Sequence, residues 1–130
     1  MVPRLLNLAL IFAVLAVSPA FAVTCADIDY PPDVKISVVI EDGDDDPRKI
    51  SVRVPAVVFG KSLTWIYLWV SADNQTGNIY LQVPIQFEVE GSEALAEFFA
   101  QQDWNAAEIT AHYGDKICDP SLQKVLWDPK

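Results

Sequence analysis

The sequence contains a single histidine, His112, and no recognisable catalytic motif. A catalytic triad needs a histidine beside a nucleophile and an orienting carboxylate, and the serines of this chain occur in no nucleophile-elbow pattern. One histidine also excludes histidine-rich zinc sites. We therefore favour a non-enzymatic protein and expect no metal and no cofactor. The alternative that stays open is a small hydrolase that uses His112 with a carboxylate.

Basic residues are scarce. The chain has 9 Lys and Arg against 18 Asp and Glu, a formal net charge of −9. Proteins bind nucleic acids and anionic lipid headgroups by neutralising phosphates with Lys and Arg, so both classes of partner are disfavoured. A negative field attracts cationic partners. The composition therefore predicts a cationic protein as the partner, if there is one.

Long apolar runs are absent beyond the first 22 residues. There, Arg4 precedes an apolar run at 5–17 that only Asn7 interrupts, and small residues follow at Ala20 and Ala22. This pattern is typical of a secretory signal peptide, and it is too short for a membrane span, which needs about 20 apolar residues. We predict a signal peptide at 1–22 and one small exported domain at 23–130, periplasmic or extracellular, with no membrane span.

Cysteines are limited to Cys25 and Cys118, and both lie in the predicted exported part. An even number of cysteines in an oxidising compartment predicts a disulfide. The alternative is a lipid-modified Cys25 at a mature N-terminus. The preceding residues Ala22, Val23 and Thr24 fit that signal poorly. The disulfide is the better interpretation.

Alternating apolar residues predict four strands, because side chains on a strand point to opposite faces in turn. Pro55 follows the second strand and lacks a backbone N–H, which indicates an edge strand or a change of partner. Short connections between consecutive strands favour an antiparallel meander. The predicted strands are 34–41, 50–54, 63–71 and 79–90. The third is apolar on both faces, which predicts a central strand that is covered on both sides.

After Ser92 the pattern indicates helices. Ser92 is a good N-cap, and Leu95, Phe98 and Phe99 have the spacing of an apolar helical stripe. A second helix would end at Gly114, with His112 in its last turn, and Asp119-Pro120 would begin a third. The predicted fold is therefore α+β: about four antiparallel strands, two or three short helices packed on one face, and one disulfide.

Acidic residues cluster in two segments. Asp42, Asp44 and Asp46 match the first positions of a calcium-binding loop, but Pro47 stands where glycine is required and Arg53 where the bidentate glutamate belongs. The loop is therefore interpreted as a solvated hairpin tip. The predicted contacts with a cationic partner are Glu41, Asp42, Asp44, Asp45, Asp46, Glu88, Glu90, Glu93 and Glu97.

Trp65, Tyr67 and Trp69 share one face of the third predicted strand. They would anchor a core under the helices or form a platform for a carbohydrate or a peptide. The core is the favoured interpretation. Taken together, these patterns indicate a binding, inhibitory or accessory protein that acts on another macromolecule. The other alternative is a structural component of a cell-envelope assembly, which would oligomerise through the face of Trp65.

Overall fold

A computed structural model describes residues 24–41, 48–74, 77–101 and 104–127 of the chain. The predicted signal peptide at 1–22 lies outside these residues, and so do Asp42, Asp44, Asp45 and Asp46 of the acidic segment. The regular secondary structure of the described residues consists entirely of strands. In chain order they are β1 (Ser37–Ile40), β2 (Arg48–Pro55), β3 (Val57–Val58), β4 (Lys61–Asn74), β5 (Gly77–Ile85), β6 (Glu88–Glu90), β7 (Glu93–Ala100), β8 (Trp104–Tyr113) and β9 (Ser121–Trp127).

The strands form two antiparallel sheets. The first has the order β1-β2-β7-β6, so β1 and β6 are its opposite edges. The second has the order β3-β4-β8-β9, with β5 also paired to β4. Because β4 pairs with β5 along one side and with β8 along the other, it is a central strand, as the sequence predicted.

The hydrophobic core contains side chains from both sheets and lies between them. Alternate residues of each central strand point inward, and Ile50 of β2, Ile66 of β4 and Ile109 of β8 are completely buried. Burying an apolar side chain of this size contributes about 1.5–3 kcal/mol relative to leaving it in water. The inward residues of these central strands are therefore the main source of folding free energy.

The predicted α+β fold is wrong, because β7, β8 and β9 replace the expected helices. In β7, Phe98 packs against the core while its neighbour Phe99 is exposed, so the expected helical stripe does not exist. The residues of this segment have high helix propensity, but propensity is a weak prior that tertiary pairing overrides. Ala94 and Ala96, both buried, alternate with outward Leu95 in the period of a strand.

The expected third helix is likewise a strand. Leu122 is buried and Val125 is exposed, whereas one helical face would have buried both. β9 pairs with β8 through a register in which Ser121 lies opposite His112. His112 therefore belongs to a strand and not to the last turn of a helix.

The predicted four-stranded meander is also wrong, because β2 pairs with β7 and not with β4. The chain leaves the first sheet after Pro55, where the sequence indicated an edge or a change of partner. The Ala56 N–H donates a hydrogen bond to the Ser92 carbonyl, and the Ala56 carbonyl accepts one from the Leu63 N–H, each at 2.9 Å. Ala56 thus joins the two sheets. The predicted strand at 79–90 is divided in the same way: β5 belongs to the second sheet and β6 to the first.

Cys25 and Cys118 form a disulfide, with their sulfur atoms 2.06 Å apart. It attaches the N-terminal segment to the turn before β9. Tyr30 attaches the same segment a second time, because its hydroxyl accepts a hydrogen bond from the Ser121 N–H at 3.1 Å and its ring stacks on Phe59. Phe59 has a positive φ of 47° in the two-residue turn between β3 and β4, and this stacking helps to hold it there.

Tyr113 connects the end of β8 to the end of β2. Its side chain is completely buried, and its hydroxyl donates a hydrogen bond to the Pro55 carbonyl at 2.8 Å. Burial raises the pKa of Tyr113, and the nearby Tyr30 raises it further. The hydroxyl thus stays protonated in the folded protein at pH values where an unfolded tyrosine ionises.

Replacing Tyr113 with phenylalanine should lower the free energy of unfolding by about 1–2 kcal/mol at neutral pH, because the Pro55 carbonyl loses its donor. A raised pKa favours the folded state below the unfolded pKa of about 10, and this contribution is lost as the pH rises further. The stability of the wild type should therefore fall more steeply above pH 10 than that of the variant. Urea unfolding at a series of pH values measures both effects.

Tyr80→Phe is the control, since Tyr80 is 74 % exposed. Equal losses of stability for the two variants would contradict the prediction.

Candidate functional site

Aromatic side chains at alternate positions of β4 form a row on the outer face of the second sheet. Trp65 is 51 % exposed, Trp69 is 44 % exposed, and Tyr67 between them is half-buried. The rings of Trp65 and Tyr67 are nearly parallel, with an angle of 20° and centroids 5.9 Å apart. The prediction that this row anchors a core under helices is wrong, because no helix exists among the described residues to cover it.

Polar side chains lie on both sides of this row. On β8, His112, Thr110 and Glu108 are the cross-strand partners of Trp65, Tyr67 and Trp69 in turn. On β5, Gln82 is opposite Trp69 and the exposed Tyr80 lies two residues before it, on the same face. We call this surface the aromatic face, and it consists of Trp65, Tyr67, Trp69, Tyr80, Gln82, Glu108, Thr110 and His112.

The outer face of the first sheet has the opposite character. Lys49 pairs with Glu97 at 3.5 Å between Nζ and Oε1, and Arg53 pairs with Glu93 at 3.2 Å. Both pairs join β2 to β7 diagonally across the strands. Exposed pairs of this kind contribute little stability, so this face is best described as a solvated, charged surface.

The predicted partner contacts that lie within the described residues fall into three groups, and the four aspartates at 42–46 lie outside those residues. Glu93 and Glu97 are the ion-paired residues just described. Glu88 and Glu90 lie on the exposed edge strand β6 and form no ion pair within the described residues. Glu41 follows β1 at the opposite edge of the same sheet, so the structure does not bring it together with the others.

A groove of about 1010 Å³ joins the two kinds of surface. It lies where the chain crosses from β5 to β6. Its lining includes Trp65, Glu88 and Glu90, together with Leu95 and Glu97 of β7. An aromatic ring and carboxylates in one groove are suited to a cationic side chain, which interacts favourably with both.

His112, the residue required by the hydrolase alternative, lies on the outer face of β8 between Trp65 and Ser121. The carboxylate on the same face of β8 belongs to Glu108, four residues away. That spacing separates their Cα atoms by about 13 Å along an extended strand. The described geometry does not bring His112 and this carboxylate into hydrogen-bonding distance.

Two further features are absent from the described residues. They contain no group of three or more His, Cys, Asp or Glu side chains placed to hold a metal ion. Their structure also includes no helix long and apolar enough to cross a membrane. The chain matches no family model, no curated protein and no solved structure.

Proposed function

We propose that this chain is an exported, non-enzymatic binding protein of the inhibitory or accessory class, and that it holds a basic segment of another protein in the groove beside β6. The observation that carries this proposal is the presence of Trp65 and the carboxylates Glu88 and Glu90 in one groove. The expected ligand groups are lysine or arginine side chains.

The local chemistry of the groove supports a cationic ligand. A guanidinium or ammonium group over a tryptophan ring gains about 0.5–1 kcal/mol at an exposed site. Glu88 and Glu90 are exposed on an edge strand, so a ligand can reach their carboxylates without displacing an ion pair of the described residues. Arginine adds geometric specificity, because its guanidinium forms two parallel hydrogen bonds with one carboxylate.

The charge of the whole chain supports the same class of partner. A net charge of −9 attracts basic proteins over distances limited by salt, since screening reduces the interaction beyond about 8 Å at physiological ionic strength. Electrostatic attraction of this kind mainly accelerates association. The disulfide between Cys25 and Cys118 supports an oxidising compartment as the place where the partners meet.

A short arginine-rich peptide should bind the full chain, and Glu90→Gln should weaken that binding by up to about fivefold, the usual range for one exposed charge pair. Glu41→Gln is the matched control, because it removes the same charge at the opposite edge of the first sheet. Fluorescence anisotropy with a labelled peptide at two ionic strengths measures both variants. The affinity should fall as salt increases.

Three results would contradict the proposal. They are a wild type that fails to bind the peptide, an equal loss of binding in the two glutamine variants, and an affinity that does not change with salt. A glutamate-rich peptide of the same length serves as the ligand control and should not bind. Thermal unfolding of each variant confirms that a loss of binding is not a loss of fold.

A further inference from the structure

We infer that the aromatic face binds a neutral glycan chain, with the pyranose rings of the glycan lying against Trp69 and Tyr80. This inference goes beyond the groove and its basic partner, and the two sites share only Trp65. The ligand class is a saccharide of equatorially substituted, uncharged sugars, such as fragments of cellulose or chitin.

The first observation is the exposure of the rings. Tyr80, Trp65 and Trp69 are 74 %, 51 % and 44 % exposed, and the row from Trp65 to Trp69 extends about 13 Å along β4. A monomeric protein rarely exposes a contiguous group of large apolar rings unless the surface binds something. The face of an aromatic ring carries partial negative charge, and the axial C–H groups of a pyranose carry the complementary partial positive charge.

The second observation is the chemistry beside each ring. Trp69 has Gln82 on one side and Glu108 on the other, and Tyr67 has Thr110. A second copy of the chain packed on this face would bury these groups against apolar rings, and each buried polar group without a partner costs about 1–3 kcal/mol. Sugar hydroxyls donate and accept hydrogen bonds, so a glycan satisfies the same groups. The surface therefore favours a hydroxyl-rich ligand over a self-association interface.

The third observation is the distribution of charge. Among the strand residues whose side chains the structure describes, the titratable groups on the aromatic face other than tyrosine are Glu108 and His112. On the opposite outer face, the described strands of the first sheet carry six charged residues. They are Lys49, Arg53, Glu88, Glu90, Glu93 and Glu97. In a chain with a net charge of −9, a nearly uncharged surface is suited to an uncharged ligand.

Isothermal titration of the full chain with soluble cello-oligosaccharides, and separately with chito-oligosaccharides, tests the inference. At least one of the two should bind saturably and independently of ionic strength. Trp69→Ala and Tyr80→Ala should each weaken that binding at least about tenfold, as expected for loss of a main aromatic contact. Gln82→Ala should weaken it less, by several-fold. Trp69 is 44 % exposed and Tyr80 is 74 % exposed, so both variants are expected to fold.

Phe99→Ala is the matched control, because Phe99 is an exposed aromatic residue on the outer face of the other sheet. It should leave saccharide binding unchanged, and so should Glu90→Gln. Three results would overturn the inference: neither oligosaccharide binds, Phe99→Ala and Trp69→Ala have equal effects, or the wild type is a dimer that Trp69→Ala dissociates. Failure here with salt-dependent peptide binding intact would leave the proposed function standing.

Discussion

Replacing Cys25 and Cys118 together with serine should lower the free energy of unfolding by about 4–5 kcal/mol. The two residues are 93 positions apart in the chain, and a cross-link that closes so long a loop restricts the unfolded state more than a short one does. Both side chains are exposed, so the loss should not arise from a packing defect. For a chain of this size the melting temperature should fall by about 20 °C.

Chemical denaturation of the wild type, the double variant and each single variant measures this effect. The single variants Cys25→Ser and Cys118→Ser should lose as much stability as the double variant, because either one removes the cross-link. Titration of denatured, unreduced wild type should find no free thiol. A loss below about 1 kcal/mol in the double variant, or two reactive thiols per wild-type chain, would contradict the prediction.

The strands before Ser92 could largely be predicted from the sequence, because their β-branched and aromatic residues alternate clearly. The predicted strand at 63–71 lies within β4 (Lys61–Asn74), and its central position is confirmed. The pairing between β2 and β7 could not be predicted in the same way. It joins residues more than 35 positions apart, such as Val52 and Ala96, and nothing in the local sequence specifies a partner at that distance.

The error after Ser92 has a different physical origin. The segment EALAEFFA contains residues that all favour a helix in isolation, except for its two phenylalanines. Its alanines alternate at Ala94 and Ala96, however, and both are buried in the core. That period of two was visible in the sequence, but small alanines give a weak hydrophobic signal. The competing helical spacing of Leu95, Phe98 and Phe99 was stronger, although tertiary pairing decided the outcome.

The candidate site was partly visible in the sequence. The row of Trp65, Tyr67 and Trp69 was identified as a possible platform, and its assignment to the core failed only because the expected helices do not form. The groove was missed, because it combines Trp65 with Glu88, Glu90 and Leu95 from separate strands. The alternation of apolar and polar residues continues through 86–87, so it gave no signal that the chain passes there from β5 to β6 in the other sheet.

The turn after β8 depends on a glycine. Gly114 has a positive φ of 75°, a conformation that costs a residue with a side chain about 1–2 kcal/mol. The Asp119 carboxylate lies directly beside it and accepts hydrogen bonds from the N–H groups of Asp115 at 3.0 Å and Lys116 at 2.8 Å. The hydrogen bond from Lys116, reinforced by the charge of Lys61, lowers the pKa of Asp119. The carboxylate is thus fixed where a Cβ atom at position 114 would have to lie.

Gly114→Ala should therefore lower the free energy of unfolding by about 2–4 kcal/mol, the sum of backbone strain and a steric clash with Asp119. Gly91→Ala is the matched control. Gly91 also has a positive φ, of 63°, but no atom lies within 4 Å of the added Cβ, so this variant should lose only the strain of about 1–2 kcal/mol. In an Asp119→Ala background, which removes the carboxylate but keeps the Cβ atom of residue 119 at 3.1 Å from the added Cβ, the cost of Gly114→Ala should fall towards that of Gly91→Ala. Urea unfolding of the four chains in this cycle, with Gly91→Ala beside them, measures the coupling. If Gly114→Ala costs the same with and without the Asp119 carboxylate, the clash is not the cause and the turn tolerates a side chain at this position.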